Sequence, residues 1–355
     1  MDQAGPPLVR LAAVASATPP YEADQPQAED FFVRHFSQQL SARSLGLLRR
    51  FLAHPSIRRR CFALDRPDCL VSENPDQRMA RFTHWALELS SRAGREALAR
   101  AGLAPEEVGA LVINTCTGYL CPGLSSYLLE GLNLPRNIRA YDLVGSGCGG
   151  ALPNLQVAQE YLRAGGKGAA LCVSVEICSA TFRMEDDLSL ILSNALFADG
   201  AAAAVLWTRP RGLELVAASS RHSPEDREAI RYVHKNGQLY NKLSPDLPRI
   251  VKKAVAQAVQ EVLASRGLRV ADVAHWALHG GGHKVLEAVA RELHLPPEKL
   301  LPTRETLARF GNMSSPSVLF TLRDILNNGL RRRDWIMMAS FGAGLSAHAL
   351  LLRSS

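Results

Sequence analysis

The sequence predicts an α/β fold with a duplicated core, in which strands alternating with helices build a mostly parallel sheet covered on both faces. Three observations predict it. β-prone apolar runs recur between stretches of helical spacing along the 355 residues. The pattern breaks at Arg209–Pro210–Arg211–Gly212 and then partly restarts, dividing the chain into residues 1–212 and 213–355. In each half one strand ends on a chemically capable residue followed by glycines and a helix. No literal repeat accompanies the restart, so the duplication is one of architecture.

Taken in order, residues 8–16 read as a strand, followed by the Thr18–Pro19–Pro20 turn and a helix near Gln27–Ser41. Arg43–Ile57 and Met79–Ala101 carry helical spacing, with Phe82, Trp85, Leu89 and Ala93 along one face of the second. Cys61–Arg78 between them is polar and Pro-bearing, the pattern of a surface loop. Val108–Cys116 reads as a buried strand and Leu124–Leu132 as a helix. The run Ile138–Val144 reads as a strand that passes through GSGCGG into a helix carrying Leu152, Leu155, Val157, Ala158 and Leu162. Ala169–Val175 and Ala201–Trp207 are two further strands, separated by the long segment 176–200. In the second half, Leu213–Ser219 is strand-like and 221–246 polar and irregular. Arg249–Arg266 is an amphipathic helix, Val273–His279 a strand, His283–Leu293 and Ser315–Asn327 helices, and Trp335–Phe341 and Ala347–Leu352 strands.

With 47% hydrophobic residues the chain can bury a large core. Its net charge of +7 points to an anionic partner, but the clusters Arg49–Arg50, Arg58–Arg60 and Arg331–Arg333 lack the interleaved aromatics of a single-strand binder. No nucleic acid is expected. The seven cysteines, at 61, 69, 116, 121, 148, 172 and 178, make no CxxC pair and no metal spacing, and their odd number points to a reducing compartment. The N-terminal stretch lacks the apolar length and basic lead-in of a secretory signal, and no window reaches the length of a membrane span. The expectation is a cytoplasmic protein.

Cys148 stands at the strand-to-helix turn, where unpaired N–H groups and the positive end of a helix dipole favour thiolate over thiol. Gly145, Gly147, Gly149 and Gly150 leave room for a carbonyl to approach. By itself this cysteine is equally a buried structural thiol beside a Gly-rich turn. His279 follows the strand HWAL and precedes Gly280–Gly281–Gly282, and a lone histidine there also serves to satisfy a backbone carbonyl. Asn312, in FGNMSSPSVLF, suits a helix N-cap as well as a site. Together the three supply a nucleophile, a base or donor, and an amide donor, the minimal kit for acyl transfer with stabilisation of a developing enolate.

The motifs GSGCGG, ALHGGGHKVLEAV, GNMSSPSVLF and SFGAGLS, with TFR at Thr181–Arg183, ALFADGAAA at 195–203, TRETLARFGN at 303–312 and the N-terminal SATPP, resemble those of type III polyketide synthases in order and spacing. These are the chalcone synthase-like branch of the thiolase-fold condensing enzymes, and the resemblance spans nearly the whole chain. It implies a thiolase-like duplicated core, with mixed sheets and helices in αβαβα layers. It further implies an acyltransferase that loads an acyl-CoA starter on Cys148 and extends it with malonyl-CoA, His279 and Asn312 holding the malonyl thioester carbonyl as CO₂ leaves. The extensions are iterated and closed to a small polyketide. No metal, flavin or nicotinamide is implied, only CoA thioesters as substrates, and a homodimer is. A one-step ketoacyl synthase III-like enzyme is the nearest alternative, although such enzymes usually carry Gln–Ala–Asn after the histidine.

The resemblance also assigns binding positions. Phe197 matches a gatekeeper between CoA tunnel and cavity, with a core aromatic as its plain alternative. Cys116, Thr117, Thr181 and Ser314 match cavity positions, Gly281 and Gly282 in the glycine run after the histidine match binding positions, and Arg50 matches a basic CoA contact. Cys121 stands where a methionine usually reaches across the dimer. Departures are several. The second gatekeeper has no clear match among Leu239, Tyr240 and Asn241. The companions of Arg50 are Leu47 and His54, which shifts phosphate contacts toward Arg49 or Arg58. SFGAG replaces GFGPG, and Pro153 lies early in its helix, where it costs little hydrogen bonding.

Overall fold

The computed structural model describes residues 7–355, so the first six residues of the N-terminal stretch lie outside it. The front half runs β1 (Arg10–Ala17), β2 (Tyr21–Asp24), α1 (Gln25–Phe36), α2 (Ala42–Leu52), β3 (Arg59–Phe62), α3 (Cys69–Ser72), α4 (Pro75–Ala101), β4 (Val108–Asn114), α5 (Leu124–Gly131), β5 (Arg139–Leu143), α6 (Ala151–Arg163), β6 (Ala169–Ile177), α7 (Leu188–Leu196) and β7 (Asp199–Trp207). The back half continues with β8 (Leu213–His222), β9 (Ile230–Lys235), β10 (Gln238–Leu243), α8 (Leu247–Ala264), β11 (His275–Leu278), α9 (His283–Glu292), α10 (Leu301–Phe310), α11 (Ser317–Asn327), β12 (Trp335–Gly342) and β13 (Ser346–Arg353).

Nine strands join in the order β11-β12-β13-β8-β1-β7-β6-β4-β5. Outward from the β8–β1 seam each side places its first strand, then its last, then its penultimate, which is the duplicated arrangement. The seam itself is narrow, pairing Arg10 with Glu214 and Leu11 with Leu213. The sheet is mixed, as the resemblance implies, and not mostly parallel as the strand–helix alternation predicts. Parallel pairing is confined to β4–β5, β4–β6 and β11–β12, while β1–β7, β6–β7, β12–β13, β8–β13 and the seam are antiparallel. Hydrophobic runs report burial, not strand direction, and the last strand of each half returns antiparallel to the penultimate one.

Alternation within the strands sorts their side chains into layers. Ala110 and Val112 of β4 and Ile336 and Met338 of β12 share one core with Leu152, Leu155 and Ala158 of α6 and Val318 and Leu322 of α11. Leu111 and Ile113 turn the other way onto Phe82, Leu89 and Ala93 of α4. Met337 and Ala339 turn onto Val255 and Val259 of α8 and Leu286 of α9. The five layers are therefore α4, the front strands, α6 with α11, the back strands, and α8 with α9. α4 keeps its 27 residues because both ends are closed: Asn74 and Gln77 make a capping box, Pro75 opens the first turn and Gly102 ends it at φ 68°.

Two local expectations fail, and a third is met at the edge of the sheet. Cys61–Arg78 is not a surface loop, since Cys61 lies buried in β3 and Arg78 buried in α4. Segment 221–246 holds the β9–β10 hairpin, turning on Asn236 and Gly237, both at positive φ. Ile138–Val144 does form a strand, but β5 is an edge whose Arg139, Ala140, Tyr141 and Asp142 are exposed.

The turn presenting Cys148 is clamped by β12. A Cβ added at Gly342 would overlap the backbone O of Ser146 and N of Gly149, so only glycine lets the two segments approach. Gly342→Ala is expected to cost about 1–3 kcal/mol through overpacking. Gly46→Ala, on α2 with nothing within 4 Å of the new methyl, is expected to add up to about 1 kcal/mol. Urea midpoints of the two variants check this pair.

Candidate active site

Cys148 sits in a short 3₁₀ turn, Gly147–Gly149, that runs directly into α6. Gly147 takes φ 53° there, and Ser340 Oγ of β12 donates to the Gly149 carbonyl at 3.2 Å. The thiol is 6% exposed and accepts a 3.1 Å hydrogen bond from Ser314 Oγ. Burial nevertheless pushes its pKa up to about 12; the Ser314 bond opposes this and nearby Glu176 adds to it. The expected thiolate is therefore not supplied by the helix terminus, because loss of water outweighs the dipole at this depth.

His279 follows β11 and extends its ladder, its N–H donating to the Ala339 carbonyl at 2.8 Å. Its ring meets Phe341 edge-on at 5.0 Å, and neither ring nitrogen has a partner among the described residues. Burial holds its pKa down to about 4, so the imidazole is neutral at physiological pH and able to accept a proton. Asn312 does not cap α11, where Pro316 occupies that position. Instead it pairs with the α7–β7 junction: its N–H donates to Leu196 O and its carbonyl accepts from Ala198 N–H, both at 2.9 Å. Its Oδ1 accepts the Ser314 N–H at 2.8 Å, which turns the amide nitrogen toward Gly281 O at 3.5 Å.

Cys148, His279 and Asn312, three residues from distant parts of the chain, line one cavity of about 300 Å³. Phe197, Gly281, Gly282 and Phe341 complete its inner wall, and Arg50, His54, His283 and Lys284 lie along the rest. The His54 and His283 rings stack at 3.7 Å. Arg49 and Arg58 do not join them: Arg49 pairs with Glu29 at 3.3 Å and Arg58 with Glu305 at 2.6 Å. The cavity thus has a reactive floor, apolar walls and basic groups.

Residues 18–278 match the family described as FAE1/type III polyketide synthase-like protein, and residues 214–355 match the C-terminal domain of chalcone and stilbene synthases. This chain belongs to the type III polyketide synthases. It is 30% identical to the 3,5-dihydroxyphenylacetyl-CoA synthase of Streptomyces toyocaensis, over 90% of this chain and 86% of that one. It is 31% identical to the α-pyrone synthesis polyketide synthase-like protein Pks18 of Mycobacterium tuberculosis, over 77% and 72%. PKS-I from the brown alga Ectocarpus siliculosus superposes with a TM-score of 0.90 at 26% identity, covering all of both chains. The protein is accordingly an acyltransferase-type condensing enzyme with a thiolase-like fold.

In this type III polyketide synthase a second cavity, of about 480 Å³, opens beside Cys116 and Gly147. Ser314, expected on a cavity wall, lines neither cavity; it bridges a residue of each, its Oγ 3.1 Å from Cys148 Sγ and 3.7 Å from Cys116 Sγ. Cys116, Gly147, Tyr232 and Leu239 line the second cavity. Of the three residues weighed for the second gatekeeper, Leu239 is the one on a cavity wall; the Tyr240 ring lies under Lys235 Nζ. Thr117 and Thr181 line a smaller neighbouring pocket of about 80 Å³ instead. Thr181 Oγ1 lies 3.4 Å from the Tyr232 hydroxyl. Cys121 is exposed.

Glu176 and Tyr232 are the residues that the sequence reading missed. Glu176 is fully buried and accepts from Cys116 N, Thr117 Oγ1 and Ser315 Oγ at 2.8–3.0 Å. Burial raises its pKa against those bonds. Its signal was present, a lone acid inside the apolar strand LCVSVEI. Tyr232 had none, lying in a stretch read as irregular.

The thiol and imidazole geometry generates a pH test. The thiolate is the alkylated form, and a buried thiol pushed up to about 12 is almost wholly protonated at pH 7 by itself, so proton transfer to His279 is its route to thiolate. With His279→Ala removing the proton acceptor, iodoacetamide labelling of Cys148 should fall at least about tenfold at pH 7 and climb toward alkaline pH. Peptide-resolved mass spectrometry separates this from labelling of exposed Cys121, and an unchanged pH profile would show that His279 does not govern the thiol.

Proposed function

We propose that this enzyme loads an acyl-CoA starter on Cys148, extends it repeatedly with malonyl-CoA and closes the product to a small polyketide. The observation that carries the proposal is the meeting of Cys148, His279 and Asn312 on one cavity, with both His279 nitrogens unpartnered. His279 takes the Cys148 proton, and the thiolate attacks the starter thioester carbonyl, releasing CoA. Malonyl-CoA then places its thioester oxygen toward the His279 ring and the Asn312 amide. The bond to the carboxylate breaks, CO₂ departs, and the electron pair moves onto that oxygen as an enolate held by the two donors. Preorganised donors of this kind are each worth roughly 10²–10³ in rate. The enolate carbon attacks acyl-Cys148; the new C–C bond forms as the C–S bond breaks and the thiolate returns.

Starter and extender enter as CoA thioesters, and the chemistry needs no metal, flavin or nicotinamide. The Arg50, His54, His283 and Lys284 wall suits the phosphates of CoA. Phe197 and Phe341 give the floor an apolar lining, which favours loss of the malonyl carboxylate over its retention. The second cavity, walled in part by Cys116, supports repeated extension, since a one-step enzyme has no growing chain to house. A homodimer is proposed through the open edge of β5, where Tyr119, Tyr127, Tyr141 and Val144 are exposed. In that assembly Cys121 would wall the neighbouring subunit's cavity. No helix among the described residues is long and apolar enough to cross a membrane, and seven free cysteines suit the cytoplasm.

A panel of aromatic and short-to-long aliphatic acyl-CoAs with labelled malonyl-CoA, products identified by mass, tests the activity. Products carrying several acetate units are expected, and products stopping at one unit would point to the ketoacyl synthase reaction. Cys148→Ala should abolish extension. Asn312→Ala should block malonyl-CoA decarboxylation while acyl loading remains detectable, and full-rate decarboxylation would overturn the role given to that amide. Cys121→Ser should alter the product profile; an unchanged profile would remove Cys121 from the partner's cavity.

A further inference from the structure

Arg60, on β3, is 1% exposed, yet its hydrogen-bond partners include no carboxylate. Nη1 donates to Asn194 O at 2.7 Å and to Phe197 O at 2.9 Å, and Nε donates to Gln25 Oε1 at 3.2 Å. Both carbonyls belong to the last turn and C-cap of α7, where peptide oxygens lack helical partners and a cation is favoured. The stem of Arg60 lies flat under Gly311: a Cβ there would come within 2.7 Å of Arg60 Cγ and 2.9 Å of Cδ. Gly311 holds φ 71°, ψ −165°, a backbone conformation that side chains rarely adopt. Burial lowers the Arg60 pKa to about 10, which leaves it a cation at neutral pH.

These contacts converge on one short stretch of backbone. Leu196 O and Ala198 N hold Asn312, and Phe197, between them, walls the reactive cavity. Arg60 grips that stretch from behind at Phe197 O, and it supports Asn312 from its own side through Gly311. We infer that Arg60 is a positioning residue for decarboxylation, setting the Phe197 carbonyl and the Gly311–Asn312 backbone so that the Asn312 amide meets the thioester oxygen. The inference rests on the role given to Asn312 above. None of the Arg60 hydrogen bonds reaches the Cys148 turn, which β12 clamps.

Position matters more for the donor than for the nucleophile, because loading needs only access to the sulfur, whereas an enolate donor displaced by an ångström loses roughly 10²-fold. Arg60→Gln removes the two carbonyl contacts, and Arg60→Lys returns one cation to the same place. The readouts are malonyl-CoA decarboxylation kinetics, Cys148 acyl loading by intact mass, and thermal unfolding of the full chain. For Arg60→Gln a fall of roughly 10- to 100-fold in decarboxylation kcat is expected, with KM and loading within about twofold, and for Arg60→Lys a smaller fall. Parallel losses in kcat, loading and thermal midpoint, or no loss at all, would overturn the inference. Should Arg60→Gln not fold, Gln25→Leu, which removes the Nε acceptor only, must reproduce a smaller selective fall in kcat or the inference fails. Asn312→Ala run alongside separates the two levels. If it decarboxylates normally, the parent reading fails; if it does not while both Arg60 variants do, Arg60 alone is misassigned.

Discussion

The hydrogen bond from Ser314 Oγ to Cys148 Sγ ties the front half of the chain to the back half at the point where chemistry is placed. Ser314 makes it from φ 61°, a conformation that costs a non-glycine residue about 1 kcal/mol or more. The return is geometric. In that conformation its N–H reaches Asn312 Oδ1, its hydroxyl reaches the thiol, and the following Ser315 reaches Glu176 at 2.8 Å. One strained residue therefore orients the amide donor and supports the nucleophile. Fixed side chains of this kind spare the reaction the cost of organising donors as charge develops.

The same region buries more ionisable groups than a stable core requires. Glu176 and Asp199 are each at 0% exposure, and burial raises both pKa values. Each is answered by several donors: Asp199 accepts from Ala63 N, Ser179 N and Ser179 Oγ at 2.5–2.8 Å. Such charge-assisted bonds contribute about 1.5–3 kcal/mol apiece, enough together to offset much of the desolvation. Asp199 thereby holds the start of β7 against Ala63 and Ser179 while Arg60 holds the end of α7. The junction carrying Phe197 is held by an acid and a base, with backbone groups among the partners of each.

What the sequence made legible was local. Cys148 and His279 announce themselves by glycines at a strand end and Asn312 by the glycine that ends α10, because close backbone approach leaves a compositional trace; Gly147, Gly342 and Gly311 confirm the reason. α4 was readable from Phe82, Leu89 and Ala93 because burial repeats at helical spacing. Strand direction was not, since β7 and β6 look alike to a hydrophobicity pattern whether they run together or opposed. The β9–β10 hairpin was missed despite its Asn236–Gly237 turn, because Arg231, His234 and Lys235 gave the stretch a polar average that hid the alternation. Arg78 falls in a stretch that reads as surface loop, and nothing local marks Arg60 as buried. Their burial depends on carbonyls 134 and 104 residues away, at Asn194 and Phe182, which no local window contains.

The charge state of the thiol illustrates the limit of a local argument more sharply. A helix N-terminus contributes roughly half a positive charge and about 0.3–1 kcal/mol in exposed settings, whereas a thiol displaced from about 9 to about 12 is resisted by several times that. The dipole reading had the correct sign and too small a magnitude. Burial also lowers His279, so neither group charges readily alone; passing the proton from Cys148 to His279 creates both charges at once, each beside its opposite. Activation then belongs to the pair, and the pair exists only after the back half of the chain has folded His279 over a cysteine supplied by the front half.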